Sequence, residues 1–273
     1  MKSKFFLILL LCPFLLFNCS SAGSSSNQDK PVKVAITTSL GDIEVELYDQ
    51  TPQHRDNFVK LVKEGYYNGI LFHRVIKNFM IQAGDPNSKN AKKETHLGSG
   101  GPGYTIPAEF VPGLIHKRGV LSAARLPDGV NPGKESSGSQ FYIVQGEKFT
   151  DEGLDDFEAQ TIGVKTQQIF VKYLKEEEEA AKKAGQKIDV EKIHEKARER
   201  ANAYMEEHPY KMKEEDRQTY KTIGGTPHLD GAYTIFGEVT KGMDVVDKIA
   251  AVQTTGADRP VTDVKIIKMK IIK

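Results

Sequence analysis

Phe72-His73-Arg74-Val75-Ile76-Lys77-Asn78-Phe79-Met80-Ile81-Gln82-Ala83-Gly84-Asp85 is the stretch from which the rest of the chain can be read. One permanently charged side chain, Arg74, sits on a segment of alternating character. Five residues on come two large apolar side chains, Phe79 and Met80, and then the amide Gln82. A fixed cation beside an apolar wall, with an amide donor close by, suits a greasy group that carries a carbonyl. Proline within a peptide is such a group. Taken alone, Arg74 reads as half of a surface ion pair, and Phe79 and Met80 read as plain core. Only the combination points to a site.

Working outward, Val32 to Thr37 alternates and is rich in β-branched residues, and Ile43 to Leu47 alternates again after the turn Ser39-Leu40-Gly41. This predicts a hairpin with Ile43, Val45 and Leu47 inward. Thr51-Pro52 predicts a helix start, with Phe58, Leu61 and Val62 on the buried face and an end near Gly65. Ile70 to Val75 and Phe79 to Ala83 read as the next two strands. Met243 to Ala251 reads as a second amphipathic helix, and Val264 to Ile272 as a last strand. Many short strands with few helices favour a closed antiparallel barrel. The Gly-rich run His96 to Gly103 lacks the Lys-Ser/Thr ending and following helix of a phosphate loop, so it does not read as a phosphate cradle.

The central stretch resembles the active-site segment of the cyclophilin-type peptidyl-prolyl isomerases, and the resemblance continues on both sides. It is carried by Val34 to Asp85, Ser99-Gly100-Gly101, Gly119 to Ala124, Ser137-Gly138-Ser139-Gln140-Phe141-Tyr142-Ile143, His228-Leu229-Asp230-Gly231 and Phe236-Gly237-Glu238-Val239. The resemblance implies an eight-stranded barrel capped by two helices, and isomerisation of X-Pro bonds with Arg74 as the catalytic residue. It implies a ring pocket of Phe79, Met80, Tyr142 and Leu229, with Gln82 orienting the carbonyl before proline. Gln140 and Tyr233 would line the groove, which the loop 89–103 would border. Backbone around Ala124 and Arg125 would pair with the client as an added strand. Tyr142 stands where the family often has phenylalanine, so its hydroxyl needs a partner. His228 stands where many eukaryotic members have tryptophan, a departure that bears on the drug cyclosporin more than on catalysis. Tyr233 replaces a common histidine. His73 reads as structural.

The 273 residues allow one or two domains with a sizeable core. With 38 basic and 37 acidic residues the net charge is +1, so no overall field recruits nucleic acid. The only cysteines, Cys12 and Cys19, lie in the N-terminal segment, which leaves the folded part without an internal disulfide or a Cys-rich zinc pattern. No cofactor or metal is implied, and a monomer is expected.

Lys2 and Lys4 precede the apolar run Phe5 to Phe17, which has the size of a signal-peptide core and is shorter than the roughly 20 residues of a spanning helix. The run ends Leu16-Phe17-Asn18-Cys19, which resembles a bacterial lipoprotein signal (1–18) with acylation of Cys19. An ordinary secretory signal or an uncleaved anchor are the alternatives. Residues 19–31 are Ser- and Gly-rich and read as a flexible tether of roughly 20 Å reach. The expected location is the bacterial cell envelope, lipid-anchored on a periplasmic or surface face, with exported polypeptides as clients.

Within the barrel domain (32–273), residues 151–223 form a charged insertion, departing from the family pattern from Phe157 to Tyr220. Lys175 to Arg200 holds 8 basic and 8 acidic residues. Glu178–Lys182 and Glu179–Lys183 are in the favourable order for helix pairs. Val190, Ile193, Ala197, Ala201, Tyr204 and Met205 keep one apolar stripe. Gly185 separates two helices, Asp189 caps the second, and His208-Pro209 ends it. The readings are a helical hairpin lying on the barrel, a docking arm for a client or partner, or disorder. The same choice extends to the whole chain: an isomerase, a non-catalytic Pro-peptide-binding or chaperone module that uses the insertion for docking, or a structural lipoprotein.

Overall fold

The computed structural model describes residues 31–185 and 189–272. Cys12, Cys19, the apolar run and nearly all of the tether lie outside the described residues.

Alternation becomes a hairpin first. β1 (Lys33–Thr38) and β2 (Gly41–Leu47) pair with Val34 opposite Val45 and Ile36 opposite Ile43, all four fully buried. Helix α1 (Pro52–Lys63) follows, with Phe58, Leu61 and Val62 buried. Thr51 sits at its N-cap position, yet its hydroxyl makes no capping bond and is buried without a partner. The helix start rests instead on proline, whose missing N–H would be unpaired there in any case.

The remaining strands are β3 (Arg74–Ile76), β4 (Met80–Ala83), β5 (Thr105–Ile106), β6 (Val120–Ala123), β7 (Ser136–Ser137), β8 (Phe141–Val144), β9 (Ile235–Lys241) and β10 (Ile266–Ile272). Eight of them form one antiparallel sheet in the order β10-β1-β2-β9-β6-β8-β4-β3, while β5 and β7 make a separate pair. The expectation of a closed barrel needs correcting, because the sheet is an open, curled half-barrel. Its edge strands share no ladder. Residues ahead of β3 meet the start of β10 and the residues before it through a Leu71–Lys265 bridge and three backbone bonds: Gly69 N–H to Ile266 O, Ile266 N–H to Ile70 O, and Phe72 N–H to Val264 O, at 2.8–2.9 Å. The strand expected over Ile70 to Val75 is therefore cut to three residues. Residues 69–72 spend their backbone bonds on 264–266 instead, after a turn at Gly69 with φ +83°.

Inside the curl, Phe58 packs on Tyr67, Phe141 and Phe236 at centroid distances of 5.1–5.5 Å. Helix α5 (Met243–Ala250) sends Val245, Val246, Ile249 and Ala250 into the same core, so two helices cover it as expected. Burying each such side chain stabilises the fold by roughly 1.5–3 kcal/mol. β6 and β8 are buried on both faces, which is why Val120-Leu121-Ser122-Ala123 and Phe141-Tyr142-Ile143-Val144 read as continuous runs rather than alternating ones. Leu121, Phe141 and Ile143 face the inner core. Val120, Tyr142 and Val144 join a second apolar cluster with Met80, Leu229 and Ile235 on the other face.

Three helices occupy the charged segment: α2 (Asp151–Lys183), α3 (Val190–Glu207) and α4 (Glu214–Thr222). α2 begins six residues before the expected departure point, capped by the Thr150 hydroxyl, and Asp189 caps α3 as expected. At 33 residues α2 is about 50 Å long, and only Leu154 on it is buried. Ile193, Ala197 and Ala201 are the buried stripe of α3, whereas Val190 is 60 % exposed and falls out of it. The short ion pairs between α2 and α3 join Glu177 to Lys196 and Arg200, and Arg200 to Glu176, at 2.7–2.8 Å. The expected Glu178–Lys182 and Glu179–Lys183 pairs do not form; the carboxylates engaged are Glu176 and Glu177, one turn earlier on the face that meets α3. At the base, Tyr220 and Met212 pack with Leu154 against Ile115 and Phe149, fixing α4 to the barrel. Among the described residues no helix is long and apolar enough to cross a membrane.

Candidate active site

Strand register assembles the site. Arg74 on β3 lies opposite Gln82 on β4, Gln82 opposite Tyr142 on β8, and Tyr142 opposite Ser122 on β6. Because side chains alternate along a strand, Met80 shares the face of Gln82 while Ile81 and Ala83 point into the core. A one-residue slip would exchange the two sets. Gly84, at φ +103°, holds this register, since a Cβ there would run into the Ser139 carbonyl on the neighbouring chain segment.

The row opens onto a cavity of about 110 Å³. Phe79, Met80, Tyr142 and Leu229 give it apolar walls, Arg74 and Gln82 supply its polar edge, and Ala124, Arg125 and Tyr233 complete it. For comparison, an apolar cavity of about 150 Å³ accepts benzene. A larger hollow of about 350 Å³ lies where Leu114, Val120 and Ile235 face Glu215 and Asp216 of α4, but it has no arginine. Arg74 is 42 % exposed, with its Nε 3.4 Å from Asp258 Oδ2. That pair steers the guanidinium without burying it. Phe79 packs at the rim on His228, ring centroids 5.3 Å apart and tilted by 34°, and burial lowers the His228 pKa.

Two expected residues stand differently from the reading of the sequence. Gln140 does not line the cavity. It sits behind Gln82, accepting from its Nε2 at 3.1 Å and donating to the Gly98 and Gly100 carbonyls. It thus ties the Gly-rich loop to the row. The Ala124 backbone is already used, its N–H by Gln140 O and its carbonyl by Ser137 N–H, so strand addition there cannot involve Ala124 itself. Arg125 is 5 % exposed. It donates from Nε to Ala232 O at 2.8 Å, pairs with Asp128 at 2.6 Å and covers the Tyr233 ring at 4.6 Å. Its side chain therefore builds the wall. In the Gly-rich loop, the Gly98 N–H donates to the buried Asp85 carboxylate at 2.5 Å, which puts an acid where a phosphate reader would need a cation.

His73 faces away from the cavity and is 5 % exposed. Burial lowers its pKa to about 4, against the opposing pull of Asp85. The Tyr142 hydroxyl, whose pKa burial raises well above its ordinary value, finds the partner it needs in His116 Nε2, at 3.1 Å. His116 was not legible as a site residue. Its local signal is no more than a histidine four residues ahead of β6.

A family model described as cyclophilin type peptidyl-prolyl cis-trans isomerase matches residues 33–160 and 155–271. A peptidyl-prolyl cis-trans isomerase-like 1 of Aspergillus fumigatus is 30 % identical over 245 residues, covering 88 % of this chain and 95 % of that one. A Streptococcus pyogenes protein described as a bifunctional phosphatase/peptidyl-prolyl cis-trans isomerase is 34 % identical, and the match spans 38 % of its length. Among solved structures, a cyclophilin type peptidyl-prolyl cis-trans isomerase of Cryptosporidium parvum shares the fold, with TM-score 0.52, 21 % identity, and 89 % of this chain and 99 % of that one covered. The chain therefore belongs to the cyclophilin-type peptidyl-prolyl cis-trans isomerases.

Proposed function

We propose that the protein isomerises X-Pro bonds of exported polypeptides at the Arg74 cavity, held at a membrane by lipid on Cys19. Peptidyl-prolyl isomerase activity is the property its relatives are named for. The observation that carries the site is one exposed guanidinium sharing a small cavity with Phe79, Met80 and Leu229.

The peptide bond resists rotation by about 18–20 kcal/mol because nitrogen conjugates with the carbonyl. No bond breaks, so no nucleophile or general base is required. The apolar cup holds the ring, and Gln82 spends one of its two amide N–H donors on Gln140, leaving the other for the carbonyl before proline. With Nε turned to Asp258, the terminal nitrogens of Arg74 are left to hold the proline carbonyl and to donate to the nitrogen as it becomes pyramidal. That bond is stronger in the twisted state than in the planar one, which is the condition for catalysis. The client strand pairs with the Arg125 backbone beside the cavity.

A second reading, a Pro-peptide-binding module, draws on α2, which exposes most of a 33-residue helix as a docking arm would. Residues 151–223 are then an addition to the barrel. Protease-coupled turnover of a proline peptide separates the two. Turnover that survives deletion of the addition supports the enzyme; client binding without turnover, lost on deletion, supports the module. Mass spectrometry of the mature N-terminus tests the anchor, and an unmodified Cys19 would remove it.

A further inference from the structure

Behind the cavity a continuous chain of hydrogen bonds leads from its floor to helix α4. The backbone N–H and ring Nδ1 of His116 both approach Asp230 Oδ1, at 2.7 and 3.0 Å. A carboxylate only accepts, so Nδ1 carries a ring proton, and in the neutral ring Nε2 then presents a lone pair. That lone pair takes the Tyr142 O–H at 3.1 Å. The other carboxylate oxygen, Oδ2, accepts the Tyr220 hydroxyl at 2.5 Å. His116 and Tyr220 are both fully buried. Asp230 directly follows Leu229 of the cavity wall. The backbone is locked alongside, since the Thr226 N–H donates to His116 O at 2.8 Å.

The chain solves the problem that Tyr142 creates. A phenol at the floor of an apolar cup would either lie unsatisfied or turn its O–H toward the client, and a buried unpaired hydroxyl is unfavourable. Drawn onto His116, the hydroxyl points away from the cup, and the client meets only the apolar ring. Tyr142 then acts as phenylalanine would, but conditionally. The condition is set by Asp230, which fixes the tautomer of His116, and by Tyr220, which holds Asp230. Outer groups of this kind orient an inner one without touching the ligand. Tyr220 belongs to α4, and α4 is clasped to α2 through Arg217, whose Nη2 lies 2.8 Å from Asp155.

We propose that Tyr220, Asp230 and His116 are positioning residues for the proline cup, and that through them helix α4 sets its affinity for clients. This rests on reading the cavity as the proline site. Two measurements test it on the full chain. In the native protein, long-range ¹H–¹⁵N spectra should show His116 as the Nδ1–H tautomer; an Nε2–H tautomer overturns the relay. In the peptide assay, Tyr220→Phe should raise KM about three- to tenfold, the range of one hydrogen bond's net worth, with kcat changed less than twofold. In the Tyr142→Phe background, which lacks the hydroxyl being steered, the same substitution should change KM less than twofold. Equal effects in both backgrounds, or none in either, overturn the positioning role. If Tyr220→Phe does not fold, Asp230→Asn takes its place in the same cycle: a rise in KM confined to the native background supports the role, and equal or absent effects overturn it. A native chain that leaves the peptide untouched overturns the site reading instead, while the His116 tautomer still decides the relay.

Discussion

Replacing Arg74 by alanine separates catalysis from folding. The guanidinium is about two-fifths exposed, and its one ion pair among the described residues, to an equally exposed Asp258, is 3.4 Å long. Pairs of that kind contribute about 0–1 kcal/mol to stability. In a domain of this size that moves the melting temperature by no more than about 4 °C. In the twisted state the same group makes a charge-assisted bond worth about 1.5–3 kcal/mol. Its loss should lower kcat/KM about 10- to 150-fold. Arg74→Lys keeps the charge but not the fork of donors, so it should recover only part of the loss. Protease-coupled or NMR exchange measurements on a cis-trans proline peptide read the rate, and thermal unfolding by circular dichroism reads the fold. Turnover within twofold of the native chain, with the fold intact, would refute the role given to Arg74. A melting temperature lowered well beyond about 4 °C would show that Arg74 is structural.

Three further outcomes are expected. Phe79→Ala should raise KM several-fold with little change in kcat, since the ring packs on ground and twisted states alike; an unchanged KM would put Phe79 outside the cup. Gly84→Ala should destabilise the protein by more than about 1 kcal/mol in urea unfolding, because alanine is strained at φ +103° and its Cβ meets the Ser139 carbonyl. His73 titrates near 4 when folded and near 6.5 when unfolded, so its burial as a neutral ring favours the fold fully above pH 6.5. That contribution, about 3 kcal/mol, is lost as pH falls from 6.5 through 4. Unfolding free energies at pH 7.5 and 4.5 should therefore drop more for the native chain than for His73→Leu, and equal drops would count against it.

What the sequence reveals depends on how local the cause is. The β1–β2 hairpin is legible because one face is buried and alternation records it. Arg74, Phe79, Met80 and Gln82 are legible because two adjoining strands and the turn between them carry all four within nine residues. The open edge between β3 and β10 is not, since closure depends on pairing between residues nearly two hundred positions apart. The use of Ala124's backbone by Gln140 and Ser137 is hidden for a similar reason: nothing in the local pattern marks which loop returns to pair with it. The partner of the Tyr142 hydroxyl could be demanded from sequence but not named. His116 and Asp230 are 114 residues apart, and neither has a periodic pattern that would mark it.

Among the described residues, the two margins of the curled sheet are fastened by three backbone N–H···O bonds and one from the Met269 N–H to Asn68 Oδ1, just ahead of the strand that bears Arg74. A fastening this short opens by local fluctuation more readily than a full ladder does. Deuterium uptake at the amides of Gly69, Phe72 and Ile266 would thus serve as a clock for how long the guanidinium stays in place between excursions. A client that grips Arg74 should slow that clock, which gives a record of occupancy that needs no turnover at all.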